Sequence, residues 1–196
     1  FLRAIELEPT LQDAYVRLAR IYGTSGRSDQ AVSKLNDALK VNPQGIPVQT
    51  DLGYVYESKG DIPKAQQIYE KILTLNPRFA PAANNLAVLY SEHGGNQEKA
   101  LELAQRAKEA APDDPYISDT LGWILYKRGV YQRAADLLKE SAAKLPDQPV
   151  VQYHLGLASL KVGDKAGARK ALTAAINSSA SFAEKDEARK ALAEIQ

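Results

Sequence analysis

The chain has no cysteine, which excludes disulfides, thiol catalysis and cysteine-ligated metal, though it does not fix a compartment. Its only histidines are His93 and His154. They fall in different segments, and neither has a second ligand at a metal-binding spacing such as HExxH. A phosphate-cradling GxxxxGKS/T loop is absent, and so is a GxSxG nucleophile elbow. Carboxylate pairs such as Asp113 and Asp114 stand at turns, where helix capping accounts for them. An excess of one charge is also missing: 25 Lys and Arg against 24 Asp and Glu leave a net charge of +1. Phosphate-backbone binding normally requires a strong basic surplus, which argues against nucleic acid as a partner. No apolar run has the length needed to span a bilayer, so direct membrane insertion is not expected. These absences point away from an enzyme, a metal site or a cofactor.

What is present is a period. Glycines at Gly26, Gly60, Gly94, Gly129 and Gly163 are spaced 34, 34, 35 and 34 residues apart. Pro9, Pro43, Pro77, Pro112 and Pro146 repeat the same spacings, 34, 34, 35 and 34. A third set, Leu18, Leu52, Leu86, Leu121 and Leu155, keeps the period, each followed by a small residue: Ala19, Gly53, Ala87, Gly122 or Gly156. A fourth is Ala31, Ala65, Ala100, Ala134 and Ala168. The single extra residue falls in the turn Gly94-Gly95-Asn96, where an insertion leaves both neighbouring helical faces in phase.

Within one period, Ile117, Leu121, Ile124 and Leu125 mark one face of a helix. Gly129 ends that helix, because glycine takes the left-handed conformation without strain. Ala134, Leu137, Leu138, Ala142 and Leu145 then mark a second helix, which stops before Pro146. The unit is a helical hairpin. Ser28, Asp61, Asn96 and Asp164 stand where N-caps of second helices are expected.

This pattern resembles the tetratricopeptide repeat (TPR). The likeness lies in the large-small pair of the first helix, the aromatic three residues on (Tyr22, Tyr56, Tyr90), the hairpin glycine, the alanine of the second helix and the closing proline, and it covers essentially the whole chain. Departures occur where the family often carries Trp, here Tyr15, Gln49, Ala83, Ser118 and Gln152, and where the aromatic becomes Leu125 and Ser159. Ala180 replaces the last proline. The resemblance implies an all-α, right-handed superhelical solenoid of about twelve helices. Its expected organisation is a second helix of an incomplete repeat (1–11), repeats at 12–45, 46–79, 80–114, 115–148 and 149–181, and a C-terminal capping helix (182–196). The start inside a hairpin suggests a piece of a longer protein. Leu2 and Ile5 should then present apolar surface there, with self-association through that end as one outcome.

The resemblance also implies that first helices line a concave groove and that a protein or peptide partner binds in it. The groove candidates are Arg17, Arg20, Tyr54, Asn84, Asn85, Tyr116, Asp119, Trp123, Tyr126, Tyr153 and His154. Arg17 and Arg20 suit a carboxylate, and Asn84 and Asn85 suit an extended backbone. Trp123 has two readings, a binding anchor or packing between repeats. The Lys and Asn carboxylate clamp of co-chaperone repeats is not reproduced, since Val16, Arg20, Thr50 and Asn84 occupy its places. Nor is the asparagine ladder of O-linked N-acetylglucosamine transferase, whose rungs here read Arg17, Asp51, Asn85, Thr120 and His154. The run DTLGWILYKRG with YHLGLASLKVGDKAGARKAL is similar to repeats of bacterial proteins of exopolysaccharide export and PEP-CTERM/exosortase sorting. That leans toward a scaffold in the periplasm or cell envelope rather than the cytoplasm. The competing expectations are a substrate-targeting module of a larger enzyme and a self-assembly module acting through its ends.

Overall fold

The computed structural model describes residues 1–195, which form twelve α-helices and no strand among the described residues. The chain divides into two compact units, Phe1–His93 and Gly94–Gln196. The first holds α1 (Leu2–Leu7), α2 (Gln12–Thr24), α3 (Ser28–Val41), α4 (Ile46–Ser58), α5 (Ile62–Leu75) and α6 (Ala80–Glu92). The second holds α7 (Gln97–Ala110), α8 (Pro115–Lys127), α9 (Tyr131–Lys144), α10 (Pro149–Lys161), α11 (Lys165–Asn177) and α12 (Lys185–Ala193).

All ten prolines punctuate helices. Five follow the second helices of hairpins. The other five sit in the first turns of α4, α5, α6, α8 and α10, where a missing amide costs nothing. The five junction glycines have φ between 72° and 83°, and no other residue type has positive φ among the described residues. Asp61, Asn96 and Asp164 accept amide hydrogen bonds as N-caps, and Asp114 does the same for α8. Ser28 does not: Arg27 precedes α3 without a side-chain bond, and Ser28 is already helical.

The small residues of the first helices receive side chains from the second. A Cβ on Gly53 would lie 2.6 Å from the Tyr69 ring, one on Gly122 2.8 Å from Leu138 and one on Gly156 2.6 Å from Leu172. These inserted residues belong to one periodic set, Leu35, Tyr69, Ala104, Leu138 and Leu172, each at most 1% exposed. Three are leucine and one is alanine, so Tyr69 alone brings a polar group into the slot.

Three of the five residues standing where the family often has Trp do a common job. Tyr15 Oη donates to the Pro9 carbonyl at 3.0 Å, Gln49 Nε2 to Pro43 at 2.9 Å and Gln152 Nε2 to Pro146 at 3.3 Å. Each ties the first helix to the carbonyl that ends the preceding repeat, an acceptor that would otherwise lack a partner. Ser118 is too short to reach. Lys108 Nζ acts instead, donating to the Pro112 carbonyl (2.6 Å), Ser118 Oγ (2.7 Å) and Glu140 Oε1 (2.8 Å). The ammonium and the Ser118 hydroxyl hold the Glu140 carboxyl below its ordinary pKa.

Two end effects differ from expectation. Phe1, Leu2 and Leu7 are exposed, but Ile5 packs against the core cluster containing Tyr15 and Leu35, so only part of the apolar surface of α1 is open. The terminal helix begins at Lys185 rather than Phe182. Phe182 instead tucks its ring 6.1 Å from Tyr153, and Ala188 and Ile195 seal the last core cluster.

Candidate functional site

The predicted groove residues meet one another across successive repeats. In the first unit, Arg20 of α2 forms a two-pronged pair with Asp51 of α4, at 3.0 and 3.2 Å. In the second, Trp123 of α8 stacks on His154 of α10, with centroids 4.0 Å apart and planes 12° from parallel. Both pairs join residues 31 apart, Arg20 with Asp51 and Trp123 with His154. One inter-repeat contact is thus written once as an ion pair and once as an aromatic stack.

Several candidates are therefore occupied within the chain. Arg17 pairs with Asp13 one turn away at 2.5 Å, and Arg20 with Asp51, so both arginines are matched by the chain's own carboxylates. Trp123 lies between two rings, His154 on one side and Tyr126, 4.9 Å away and within 5° of parallel, on the other. It also packs against the core cluster of Tyr153 and Leu172. His154 in turn holds Asp119 through Nδ1 at 3.0 Å, both side chains being largely buried. Tyr153 is 7% exposed, so it supports the stack from the core and is not a free groove surface. Tyr116, 55% exposed, stands open at the start of α8.

The first unit contains the less expected arrangement. Tyr69 reaches from α5 across Gly53, and its hydroxyl donates to Glu57 Oε1 on α4. Burial and the Glu57 carboxylate push the Tyr69 phenol well above its usual range. Tyr54, one turn before Glu57, meets Tyr69 edge-on at 6.4 Å and is itself 48% exposed. Asn85 of α6 is close enough to the Tyr69 hydroxyl to favour its ionised form, yet its Nδ2 makes no hydrogen bond, and Asn84 Oδ1 likewise has none. The Asn84 amide lies 3.5 Å from Asn85 Oδ1. Glu57 and Tyr69 are thus joined by one hydrogen bond, with Asn85 near the tyrosine hydroxyl, Asn84 next to Asn85, and Tyr54 against the Tyr69 ring. Sequence reasoning put Tyr54 on this face and missed Tyr69. The available signal was a tyrosine interrupting the small apolar series at 35, 104, 138 and 172.

Among the described residues no three His, Asp or Glu side chains are grouped to hold a metal ion. No helix there is long and apolar enough to cross a membrane.

Comparison with known proteins agrees with this architecture. Three family models, each described as tetratricopeptide repeat, match residues 1–33, 56–124 and 120–184. A TPR repeat-containing protein of Pseudomonas aeruginosa is 25% identical over 142 residues, 72% of this chain and 24% of that protein. The BBSome complex member BBS4 of Bos taurus is 26% identical over 163 residues, 83% of this chain and 31% of the relative. The chain thus spans about a quarter to a third of the length of these curated relatives. Among solved structures, a thermophilic TPR protein of Thermus thermophilus superposes with TM-score 0.69 at 21% identity, covering 94% of this chain and 98% of its own. YrrB, described as a TPR protein with an unusual peptide-binding site, superposes with TM-score 0.67 at 20% identity, covering 97% of each chain. The Cut9 and Hcn1 assembly of the anaphase-promoting complex reaches TM-score 0.84 at 18% identity, over all of this chain and 38% of its own. The repeat period, the hairpins built on it and the family models covering most of its length agree: the chain belongs to the tetratricopeptide-repeat family.

Proposed function

We propose that the chain is a non-enzymatic protein-interaction scaffold that holds a partner segment against the concave face of its first helices. The observation carrying this reading is the amide pair of α6. Asn84 Oδ1 and Asn85 Nδ2 are shielded from water yet make no hydrogen bond. Turned outward by a side-chain rotation, one acceptor and one donor side by side would complement a peptide group, and a partner backbone that bonds them would remove a desolvation penalty. Tyr54 and Tyr116 are the exposed aromatic surfaces on the same helical series. Arg17 and Arg20 in the first unit, and Tyr153 with the Asp119–His154–Trp123–Tyr126 stack in the second, stiffen the first-helix face of their own unit. That YrrB is described as having a peptide-binding site is consistent with this reading. The likeness of residues 119–129 and 153–172 to repeats of exopolysaccharide export and exosortase systems favours a bacterial envelope assembly as the setting.

The test is partner capture from cytosolic and envelope fractions by the parent, by an Asn84→Ala, Asn85→Ala, Tyr116→Ala variant, and by a Lys139→Ala, Lys170→Ala control on α9 and α11. Capture lost only in the first variant supports the groove. Equal capture by all three refutes it. The packed Trp123 is left in place, because its removal would disturb the second unit itself.

A second reading rests on Phe1, Leu2 and Leu7, which are 52%, 57% and 71% exposed on and beside α1. Such a patch suits end-to-end self-association. Concentration-independent monomer mass in light scattering would exclude it.

A further inference from the structure

One departure from the repeat pattern leaves a hollow in the second unit. The α3–α4–α5 and α9–α10–α11 groups lie three repeats apart, so matching positions differ by 103 residues. In the first group Leu39, Tyr56 and Ile68 all pack against the core cluster containing Tyr15 and Leu35, and the Lys64 ammonium lies 5.3 Å from the centre of the Tyr56 ring. In the second group those four places hold Ala142, Ser159, Ala171 and Gly167. Three large side chains and their cover are thus absent together, where close packing is otherwise the rule.

A cleft of about 520 Å³ stands there, lined by Ala142, Leu155, Ser159 and Ala171 among others. Its size is that of a ligand pocket. Ser159 is 5% exposed, yet its hydroxyl has no hydrogen-bond partner among the described residues. A buried hydroxyl normally finds one. Lys139 and Lys170 also line the cleft; both are exposed, and neither forms an ion pair among the described residues. Asn36 and Gln67 stand at their places in the first group, where a ring already fills the space. Asp164 is a lining residue too, but its carboxylate caps α11 by accepting from the Gly167 amide at 2.8 Å. Gln152, Leu155 and Ser159 leave α10 on the side opposite His154, so the cleft is separate from the first-helix face.

We propose that this cleft is a second binding site, which takes a tyrosine of an acidic partner segment. The ring occupies the space that Tyr56 fills three repeats earlier, its hydroxyl bonds Ser159, and carboxylates on either side of it meet Lys139 and Lys170. The aromatic follows from the shape of what is missing, and the acidic character from the two unmatched ammonium groups. A hollow lined by alanines and a leucine favours a ring over water, and the hydroxyl left in it favours a ring with a polar tip. The two sites are read separately: a groove partner depends on Asn84, Asn85 and Tyr116, and a segment held here depends on Ser159, Lys139 and Lys170.

The test is a titration of the whole isotope-labelled chain with an acetylated, amidated pentapeptide of one tyrosine between two pairs of glutamates, followed by amide chemical shifts. Shifts are expected in residues 139–146, 152–159 and 167–174, with a dissociation constant on the order of a millimolar. Replacing the peptide's tyrosine with alanine, or its glutamates with glutamines, should weaken binding about tenfold. Ser159→Tyr fills the cleft with the chain's own ring and should abolish the response. Lys139→Gln, Lys170→Gln removes both charges from exposed positions and should lower the affinity to that of the glutamine peptide. This double variant decides the matter if the added ring of Ser159→Tyr disturbs the fold. Equal binding of all the peptides, undiminished binding by the double variant, or no response at these amides overturns the proposal. Shifts there that grow with protein concentration alone would assign the cleft to a second copy and overturn it too. Shifts confined to α8 around Tyr116 would place the acidic peptide in the groove and refute this site.

Discussion

Replacing Gly53 with alanine tests how the first unit is held together. Away from contacts, alanine should stabilise a helix interior relative to glycine by about 1 kcal/mol. Here the added methyl would lie 2.6, 2.7 and 2.9 Å from Cε1, Cζ and Oη of Tyr69. The ring has nowhere to go, because Tyr69 is fully buried and its hydroxyl is held by Glu57. Overpacking of this kind costs about 1–3 kcal/mol, and displacing the hydroxyl bond adds about 1 kcal/mol. The balance is a net destabilisation of about 1–3 kcal/mol. Native-state hydrogen exchange suits the assay, since repeat arrays open locally and one unfolding midpoint would average the units. The loss should appear in amides of α4 and α5. In a Tyr69→Ala background the same substitution meets no ring and should be neutral or stabilising by up to about 1 kcal/mol. An equal cost in both backgrounds would refute the reasoning.

Three other outcomes follow from the geometry. Lys108→Met should destabilise the second unit by about 1–2 kcal/mol, because the Pro112 carbonyl and Ser118 lose a donor and the half-exposed Glu140 contributes little more; denaturation at several pH values would measure it. Since the folded pKa of Glu140 is depressed below 4.5, its stabilisation is present above the unfolded pKa and is lost as pH falls through the folded value, so the gap between parent and Lys108→Met should narrow in acid. Glu57 has the opposite sign: its folded pKa is raised, its favourable contribution is present below the unfolded pKa, and that contribution is lost as pH rises, so Glu57→Gln should gain stability relative to the parent between acid and neutral pH. His154→Ala should uncover one face of Trp123, the only tryptophan, and shift its emission to the red; an unchanged spectrum would mean that the ring is not stacked there.

Much of the fold was legible because glycine, proline and small-residue positions are dictated by backbone geometry, which a sequence displays directly. The turn glycines, the closing prolines and three of the four expected caps follow that logic. Ser28 failed because a serine near a helix start can equally sit inside the first turn. The site was less legible, because a groove face predicted from helical phase says which way a side chain leaves the backbone but not what it meets. Arg17 and Arg20 read as free cations until Asp13 and Asp51 are placed beside them. Trp123 and His154, 31 residues apart, meet only once the repeats stack. Tyr69 was hidden for a different reason: it occupies a core position, and only its hydroxyl tip takes part in the surface chemistry. The departures from the family's usual Trp looked like losses in the sequence. In the fold, Tyr15, Gln49 and Gln152 each recover a proline carbonyl.

The central claim is that partners are held by the first-helix faces, and a hydrogen-exchange footprint of the chain with and without its captured partner tests it most directly. The account predicts added protection in α4 and α6 of the first unit around Tyr54, Asn84 and Asn85, or in α8 of the second around Tyr116, with little change in α3, α5, α9 and α11. Protection confined to those second helices, or to α1 alone, would contradict it.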